Sequence, residues 1–456
     1  MASGRSGLAS ITGERLPAVD ALRGAAVLGI AAVNIWFFAY PELLLGARPA
    51  EREHASLADH LVSLASTLLF EGKAYLIFSF LFGLAFVAQF AAAQRDGSSG
   101  TSRSVRRFAG LAILGVLHGL LLFAGDILLA YAVLGFVLLG LRSLSDRAAL
   151  LVAGGIYLSM SLLLLGAGLV LVCAHDAGGA SGAAADALTG AVAAESVRSE
   201  YVGGPASYLG FQLSAYAAIV PSVLLGQAPM ALAAFLAGLV AGRRDLVRRV
   251  VDGRFSAGVL LVIGVISSVA GLACSGVAAV LRWGLPGTAA AEVGAVAGAQ
   301  PLGADALAGA LLFAGGPVQA FGLVVLMLLL RRRAAMARLF APLSAAGRLS
   351  LTNYLGQSAV FALVFSGLGL GLAGEISPAA AGALVLGLWI VQLLASSAWM
   401  RLFRAGPLEA LLRAWTYVQP PRWRRGTEGA AGWDRSASRG GQANAGGCSP
   451  PAPPQG

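Results

Sequence analysis

A histidine and an aspartate eight residues apart are the pair best suited to acid–base chemistry in this chain. His118 stands in Leu117-His118-Gly119 near the end of one apolar run, and Asp126 opens the next run. An imidazole exchanges protons near neutral pH, and a neighbouring carboxylate makes it a stronger base. We therefore predict His118 as a catalytic base and place Asp126 in the substrate site. A buried, hydrogen-bonded packing pair is the alternative that the residues leave open.

Lys73 is the only lysine among the 456 residues, in a chain that otherwise uses arginine for positive charge. Its position at the start of an apolar run indicates a need for a compact ammonium group, which arginine does not supply. Snorkelling of the Lys73 side chain toward the membrane interface is the alternative.

A polar stripe is predicted on the first apolar helix. Asp20, Arg23 and Asn34 fall on one face, because steps of 3 and 11 residues turn a helix by about 300° and about 1100°. The stripe would form one wall of a polar cavity entered from the cytoplasm, with Arg23 able to hold an anion. An intrahelical Asp20–Arg23 ion pair, with one interhelical hydrogen bond from Asn34, is the alternative.

A second polar group lies near the carboxy terminus, where Arg348, Asn353 and Gln357 enter an apolar run from its arginine-bearing side. Asn353 and Gln357 are one helical turn apart and share a face. They are predicted to bind substrate in the same inner vestibule as Arg23. Ordinary polar contacts between helices are the alternative.

The elements that must position these residues are membrane helices. Apolar residues make up 57% of the chain, charged residues make up 12%, and the mean hydropathy is +0.78. An ordinary soluble domain carries about twice that charged fraction. The predicted fold class is all-α: a polytopic integral membrane helix bundle with about ten transmembrane helices.

The spans follow from a requirement for about 20 mostly apolar residues between charged or Gly/Pro-rich breaks. Nine of them are predicted at residues 19–40, 72–93, 108–124, 126–141, 148–173, 256–281, 306–330, 349–372 and 379–400. The sixth in chain order ends at residue 242 after an apolar approach that begins near Tyr208. Pro221 and Pro229 in this approach favour an interfacial helix followed by one span over a single long helix.

Arginine clusters follow every even-numbered span. The positive-inside rule places these clusters in the cytoplasm, so both termini are predicted to be cytoplasmic in a multi-pass protein of the cell membrane. The outer loops are then residues 42–60, 174–205 and 283–305. The net charge of +10 reflects this orientation rather than nucleic-acid binding, because the arginines lie in short clusters between spans.

The chain divides into a cytoplasmic segment (1–18), amino-terminal membrane helices (19–242), carboxy-terminal membrane helices (243–417) and a Gly/Arg/Ser/Pro-rich tail (418–456) predicted to be disordered. Its three cysteines are far apart, so we expect neither a disulfide framework nor a thiolate metal site. The acidic and histidine residues of the first outer loop match no standard metal spacing. The sequence leaves homo-oligomerisation open.

Several motifs resemble the YeiB-like family of bacterial membrane proteins, which carries the domain of unknown function 418. They include Arg15-Leu16-Pro17-Ala18-Val19-Asp20-Ala21-Leu22-Arg23-Gly24, Glu71-Gly72-Lys73, Leu117-His118-Gly119, Gly125-Asp126-Ile127-Leu128 and Gly347-Arg348-Leu349-Ser350-Leu351-Thr352-Asn353-Tyr354. The resemblance covers residues 15–417.

The opening motif is also similar to that of integral-membrane acyltransferases such as heparan-alpha-glucosaminide N-acetyltransferase. This resemblance implies transfer of an acyl group, acetyl as the first expectation, from cytoplasmic acyl-CoA to a hydroxyl or amine of a sugar or glycosylated acceptor. It implies that Arg15, Asp20 and Arg23 shape the donor entrance. The chain departs from the lysosomal enzyme in one respect, because residues 36–42 contain no histidine.

The arginines of the chain fit this expectation. Coenzyme A is polyanionic, so Arg15, Arg23 and Arg348 would bind its phosphates through charge-assisted hydrogen bonds. For this reaction the resemblance implies an oxyanion on the thioester carbonyl, which the ammonium of Lys73 or the amide of Asn34 would stabilise. Acyl transfer from a thioester needs no metal. Two other classes stay open: a transporter or exporter whose intramembrane charges line a substrate path, and a noncatalytic membrane scaffold.

Overall fold

The computed structural model describes residues 16–46, 56–178, 192–283, 302–420 and 423, and every regular element in these ranges is a helix. In chain order the helices are α1 Pro17–Ala39, α2 Leu57–Leu69, α3 Ala74–Arg95, α4 Gly100–Leu121, α5 Leu128–Leu141, α6 Asp146–Gly178, α7 192–202, α8 Pro205–Ser222, α9 Ala228–Arg243, α10 Leu246–Val251, α11 Ala257–Trp283, α12 Leu302–Leu330, α13 Ala334–Leu339, α14 Ala341–Arg348, α15 Ser350–Phe365, α16 Pro378–Leu402 and α17 Pro407–Tyr417.

Eight stretches of the described chain are long and apolar enough to cross a membrane. They lie in α1, α2 with α3, α4, α6, α8 with α9, α11, α12 and α16. The apolar helices α5 and α15, of 14 and 16 residues, are shorter. Together they confirm the predicted all-α polytopic membrane bundle with about ten crossings.

The third span begins earlier in the structure than predicted. Helix α4 begins at Gly100 rather than at residue 108, because the Ser99 hydroxyl caps its amino terminus by accepting a hydrogen bond from the Ser102 amide at 3.2 Å. Its first two turns therefore carry arginines that a loop would otherwise have held.

The sixth span differs from its prediction more than the third span does. The prediction of an interfacial helix followed by one span is wrong, because residues 205–243 form one continuous helical stretch. A π-turn at Val223–Gln227 lies between Pro221 and Pro229 and joins α8 to α9, and the Ala228 amide donates to the Val223 carbonyl. A π-turn absorbs the steric and hydrogen-bonding defects that proline introduces, so the helix continues instead of ending.

The ninth predicted span is shorter than expected. Helix α15 ends at Phe365, and a run of turns replaces the predicted helix as far as residue 372. Gly371 and Gly374 adopt positive φ angles in this segment. The Gly374 amide donates to the Ala39 carbonyl at 2.8 Å, so backbone bonds to other elements satisfy the non-helical segment.

Helix α2 occupies a region that was predicted in part as an outer loop. A capping box of Ser56 and Asp59 starts it. The second carboxylate oxygen of Asp59 accepts a hydrogen bond from the Ala379 amide at 2.8 Å. One side chain therefore caps α2 and ties it to the start of α16.

Paired glycines bring the helices around the functional residues into backbone contact. A Cβ added at Gly347 would overlap the Asp20 carbonyl oxygen, and one added at Gly24 would overlap the Leu343 carbonyl oxygen. These contacts fix α14 against the first turns of α1. Small residues at helix crossings are what permit such close approach in membrane proteins.

Candidate functional site

A cavity of about 560 Å³ lies at the end of the bundle where the arginine-bearing loops gather, which we call the arginine end. Seven arginines and three carboxylates line it. They are Arg23, Arg95, Arg107, Arg248, Arg348, Arg404 and Arg413, with Asp20, Asp245 and Glu409. The excess of positive charge suits a polyanionic ligand.

The deeper walls of the cavity are apolar. They include Val27, Ile30, Phe78, Phe82, Leu111, Leu128, Tyr131 and Tyr354. The hydroxyl of Tyr131 is already engaged, since it lies 2.7 Å from the Ser79 hydroxyl and 2.9 Å from the Tyr75 carbonyl oxygen. The cavity therefore combines a charged mouth with an apolar interior, as ligand sites commonly do.

The predicted stripe on α1 forms part of this wall. Arg23 donates to the Asp20 carboxylate at 3.2 Å, and both residues line the cavity. The ion pair and the cavity wall, which the sequence offered as alternatives, thus coexist. Asn34 is half-buried further along α1 and does not line the cavity.

Arg348 also lines the mouth, and its guanidinium donates to the Arg404 carbonyl oxygen at 3.0 Å. Arg15 lies outside the described residues. The structure therefore brings Asp20, Arg23 and Arg348 together around one opening.

Arg107 also lines the cavity, although its place in an arginine cluster predicts only a topology signal. Its guanidinium donates to the Gln89 side chain at 2.7 Å and lies 5.4 Å from the centre of the Phe82 ring. Helical periodicity could have found it. Arg107, Leu111 and His118 share a face of α4, with His118 roughly 16 Å deeper at 1.5 Å per residue.

His118 and Asp126 form a fully buried pair. Nδ1 of His118 lies 2.8 Å from the nearer Asp126 carboxylate oxygen, and neither side chain is exposed. The other carboxylate oxygen accepts a hydrogen bond from the Leu129 amide at 2.9 Å. Nε2 of His118 has no hydrogen-bond partner among the described residues. We assign the proton of the neutral imidazole to Nδ1, because a carboxylate oxygen accepts this bond, and Nε2 is then the acceptor nitrogen.

Two tyrosines surround this pair. The Tyr354 ring centre lies 5.0 Å from that of His118, and the Tyr216 ring packs so closely on Gly119 that no Cβ would fit there. Tyr354 lines the cavity, whereas His118 and Asp126 do not. The pair thus lies directly behind the inner wall of the cavity, and the Tyr354 ring lies between the cavity and the pair.

Lys73 lies elsewhere. Its ammonium donates to the Thr67 carbonyl oxygen at 2.7 Å, at the carboxyl end of α2, and the residue is 1% exposed. Glu71 beside it forms hydrogen bonds of 2.7 and 3.0 Å with Arg282. Lys73 does not line the cavity. Its geometry is that of a cation that satisfies the last carbonyls of a helix.

Asn353 and Gln357 belong to a network between α15 and α16. Asn353 donates to the Ser396 hydroxyl at 3.1 Å, and Gln357 donates to the Gln392 side chain at 2.8 Å. Gln392 in turn donates to the Asn353 carbonyl oxygen at 3.0 Å. Neither Asn353 nor Gln357 lines the cavity, so the interhelical alternative accounts for their contacts.

Helix α17 closes one side of the mouth. Its Glu409 accepts hydrogen bonds from the amides of Leu351 and Thr352, at 2.6 and 3.1 Å, and thereby caps the start of α15. Burial raises the pKa of Glu409 above its ordinary value of 4.5. This carboxylate links the mouth to the helix that carries Tyr354.

The family model described as a protein of unknown function, DUF418, matches residues 242–419. The uncharacterized protein YxaH of Bacillus subtilis (strain 168) is 29% identical over 424 residues, which is 90% of this chain and 96% of that protein. The uncharacterized protein YeiB of Escherichia coli (strain K12) is 28% identical over 413 residues, which is 88% of this chain and 96% of that protein. No solved structure matches the chain.

These relatives confirm the resemblance to the YeiB-like family that the motifs predicted. Their names state no activity, so the chemistry of the site must come from its geometry.

Proposed function

We propose that this protein, whose residues 242–419 match the DUF418 family model, is a membrane-embedded acyltransferase. It takes an acyl group from acyl-CoA at the arginine end and passes it to a hydroxyl or amine of a sugar or glycosylated acceptor. The observation that carries the proposal is the buried His118–Asp126 pair, with its unpaired Nε2, behind the inner wall of an arginine-mouthed cavity.

The mouth suits the donor. Guanidinium groups form paired, charge-assisted hydrogen bonds with phosphate oxygens. Arg23, Arg107 and Arg348 line the opening and would hold the phosphates of coenzyme A. The apolar interior would then guide the pantetheine arm toward Tyr354. The positive-inside rule would place this opening in the cytoplasm, with both termini.

The His118–Asp126 pair supplies the base. Nε2 removes the proton of the acceptor hydroxyl as its oxygen attacks the thioester carbonyl carbon, and a tetrahedral intermediate forms. That intermediate collapses by breaking the carbon–sulfur bond, and His118 returns the proton to the departing thiolate. Asp126 holds the Nδ1 proton and stabilises the imidazolium.

Tyr354 separates the cavity from the buried His118–Asp126 pair. Because its ring lines the cavity and contacts His118, the thioester reaches the base when this ring swings aside. Lys73 and Asn34, the oxyanion donors predicted from the sequence, lie away from the cavity lining. The role of Lys73 is therefore best tested as a structural one.

The decisive experiment measures transfer from labelled acyl-CoA to a panel of glycosylated acceptors by membranes that contain the protein. His118→Gln is compared with His60→Gln, a matched change at a histidine of α2. We expect a loss of about 100-fold or more with His118→Gln and full activity with His60→Gln. Equal activity in the two variants would overturn the proposed base.

A transporter gives a different result. Folded wild-type protein that forms no product, yet moves a labelled solute into sealed vesicles, would replace the enzyme with a transporter. Absence of both activities, with loss of a membrane complex on deletion, would indicate a scaffold.

A further inference from the structure

Polar atoms without hydrogen bonds converge around Asp126. Among the described residues, Nε2 of His118 and the hydroxyl of Tyr216 are buried and have no hydrogen-bond partner. Buried polar atoms in proteins are nearly always paired, so an unpaired group marks a catalytic role or a missing ligand. Two such atoms beside one carboxylate point to a shared ligand position.

Tyr216 is the member that the proposed mechanism does not use. It lies on α8 and is 8% exposed, and its ring packs against Gly119, the residue after His118. It also lies within electrostatic range of Asp126. The close approach depends on glycine, because any Cβ at position 119 would overlap the ring. Glycine at position 119 therefore allows the Tyr216 ring to lie beside His118.

We infer that the Tyr216 hydroxyl is the oxyanion donor of the acyl-transfer reaction. The inference rests on the proposed function. As the acceptor oxygen attacks the thioester, negative charge develops on the carbonyl oxygen, and the Tyr216 O–H donates a hydrogen bond to it. The proton stays on Tyr216, and the bond weakens when the tetrahedral intermediate expels the thiolate. A donor with no partner in the resting protein breaks no existing hydrogen bond when it takes this role.

A purely structural tyrosine on the same helix provides the comparison. Tyr208 lies two turns before Tyr216, and its hydroxyl donates to the Leu122 carbonyl oxygen at 2.9 Å and accepts from the Gln212 side chain at 2.6 Å. Removal of this hydroxyl leaves buried partners unpaired, whereas removal of the Tyr216 hydroxyl leaves none.

The test compares Tyr216→Phe with Tyr208→Phe by thermal unfolding and steady-state kinetics. We expect Tyr216→Phe to keep or raise the melting temperature and to lower kcat by about 100- to 1000-fold, with little change in KM for acyl-CoA. Tyr208→Phe should lower the melting temperature and leave the kcat of the folded fraction unchanged.

Wild-type activity with unchanged kcat in Tyr216→Phe would show that the Tyr216 assignment is wrong while the enzyme stands. If folded wild-type protein transfers no acyl group to any acceptor, the proposed function fails and the Tyr216 role fails with it.

Discussion

Asp126 orients His118 through one carboxylate oxygen and holds the Leu129 amide with the other. An amide side chain can keep the bond to Leu129 and still lose the charge that stabilises an imidazolium. We therefore expect Asp126→Asn to lower kcat by about 100-fold or more, with a folded protein and a nearly unchanged KM for acyl-CoA. Kinetics on detergent-solubilised protein would measure this, and an unchanged kcat would remove Asp126 from the mechanism.

The contact between Gly119 and Tyr216 yields a prediction about packing. Gly119→Ala forces the Tyr216 ring out of its position, so we expect a loss of about 1–3 kcal/mol in unfolding free energy together with loss of transfer activity. Gly140→Ala on α5 is the matched control, because nothing lies within 4 Å of a Cβ added there. Thermal unfolding of both variants provides the measurement, and equal melting temperatures would contradict the packing argument.

The contacts of Lys73 indicate that it stabilises the carboxyl end of helix α2. Replacement by methionine leaves the Thr67 carbonyl oxygen without its donor, which costs about 1–3 kcal/mol for a buried group. We expect Lys73→Met to lower the melting temperature and to leave the kcat of the folded fraction unchanged. The opposite pattern, normal stability with a large fall in kcat, would restore the oxyanion role that the sequence predicted.

Glu409 couples α17 to the start of α15 in a pH-dependent way. Its pKa is raised by burial in the folded state, so its contribution to stability is present below its ordinary value and is lost as pH rises through the folded pKa. We therefore expect the stability of the wild type, measured relative to Glu409→Gln, to decline as pH rises above 4.5. Melting temperatures of both proteins across this range test it, and a relative gain with rising pH would show a lowered pKa instead.

The helices themselves were predictable because apolar length and arginine position depend on the bilayer rather than on tertiary detail. Helix ends were harder. The early start of α4 depends on the Ser99 cap, and the break after Phe365 depends on backbone bonds to distant segments. The continuous α8–α9 stretch depends on a π-turn, which no periodicity in the sequence indicates.

The candidate site was predictable in part for the same reason. Residues on one helix, such as Asp20 with Arg23, follow from helical geometry, and His118 with Asp126 follows from a short connection between two helices. Tyr216 could not be found in this way, because about 90 residues of chain separate it from Asp126 and only the packing of α8 on α4 brings them together. Lys73 shows the converse, since its uniqueness in the sequence does not indicate the contact with the Thr67 carbonyl oxygen that the structure gives it.

Across the whole molecule, the charged groups lie at one end of the bundle and the proposed base lies deeper along the same direction. The arginine clusters lie at one end of the bundle, the cavity opens among them, and the His118–Asp126 pair lies deeper in the bundle. A polyanion attracted to the mouth would therefore present its uncharged portion to the interior. For the proposed donor, this distribution of charge would hold the nucleotide phosphates at the mouth and direct the acyl-bearing end inward.

This arrangement predicts that salt weakens the binding of acyl-CoA, and that it does so only through the nucleotide phosphates. The Debye length falls from about 10 Å at 0.1 M salt to about 3 Å at 1 M, which screens phosphates from the seven arginines of the mouth. We expect KM for acyl-CoA to rise steeply over this range while kcat changes little. The matched control is the acyl-pantetheine that lacks the nucleotide, whose KM should stay flat because it carries no phosphate. Parallel salt curves for the two donors would mean that the arginines serve membrane orientation and do not bind the donor.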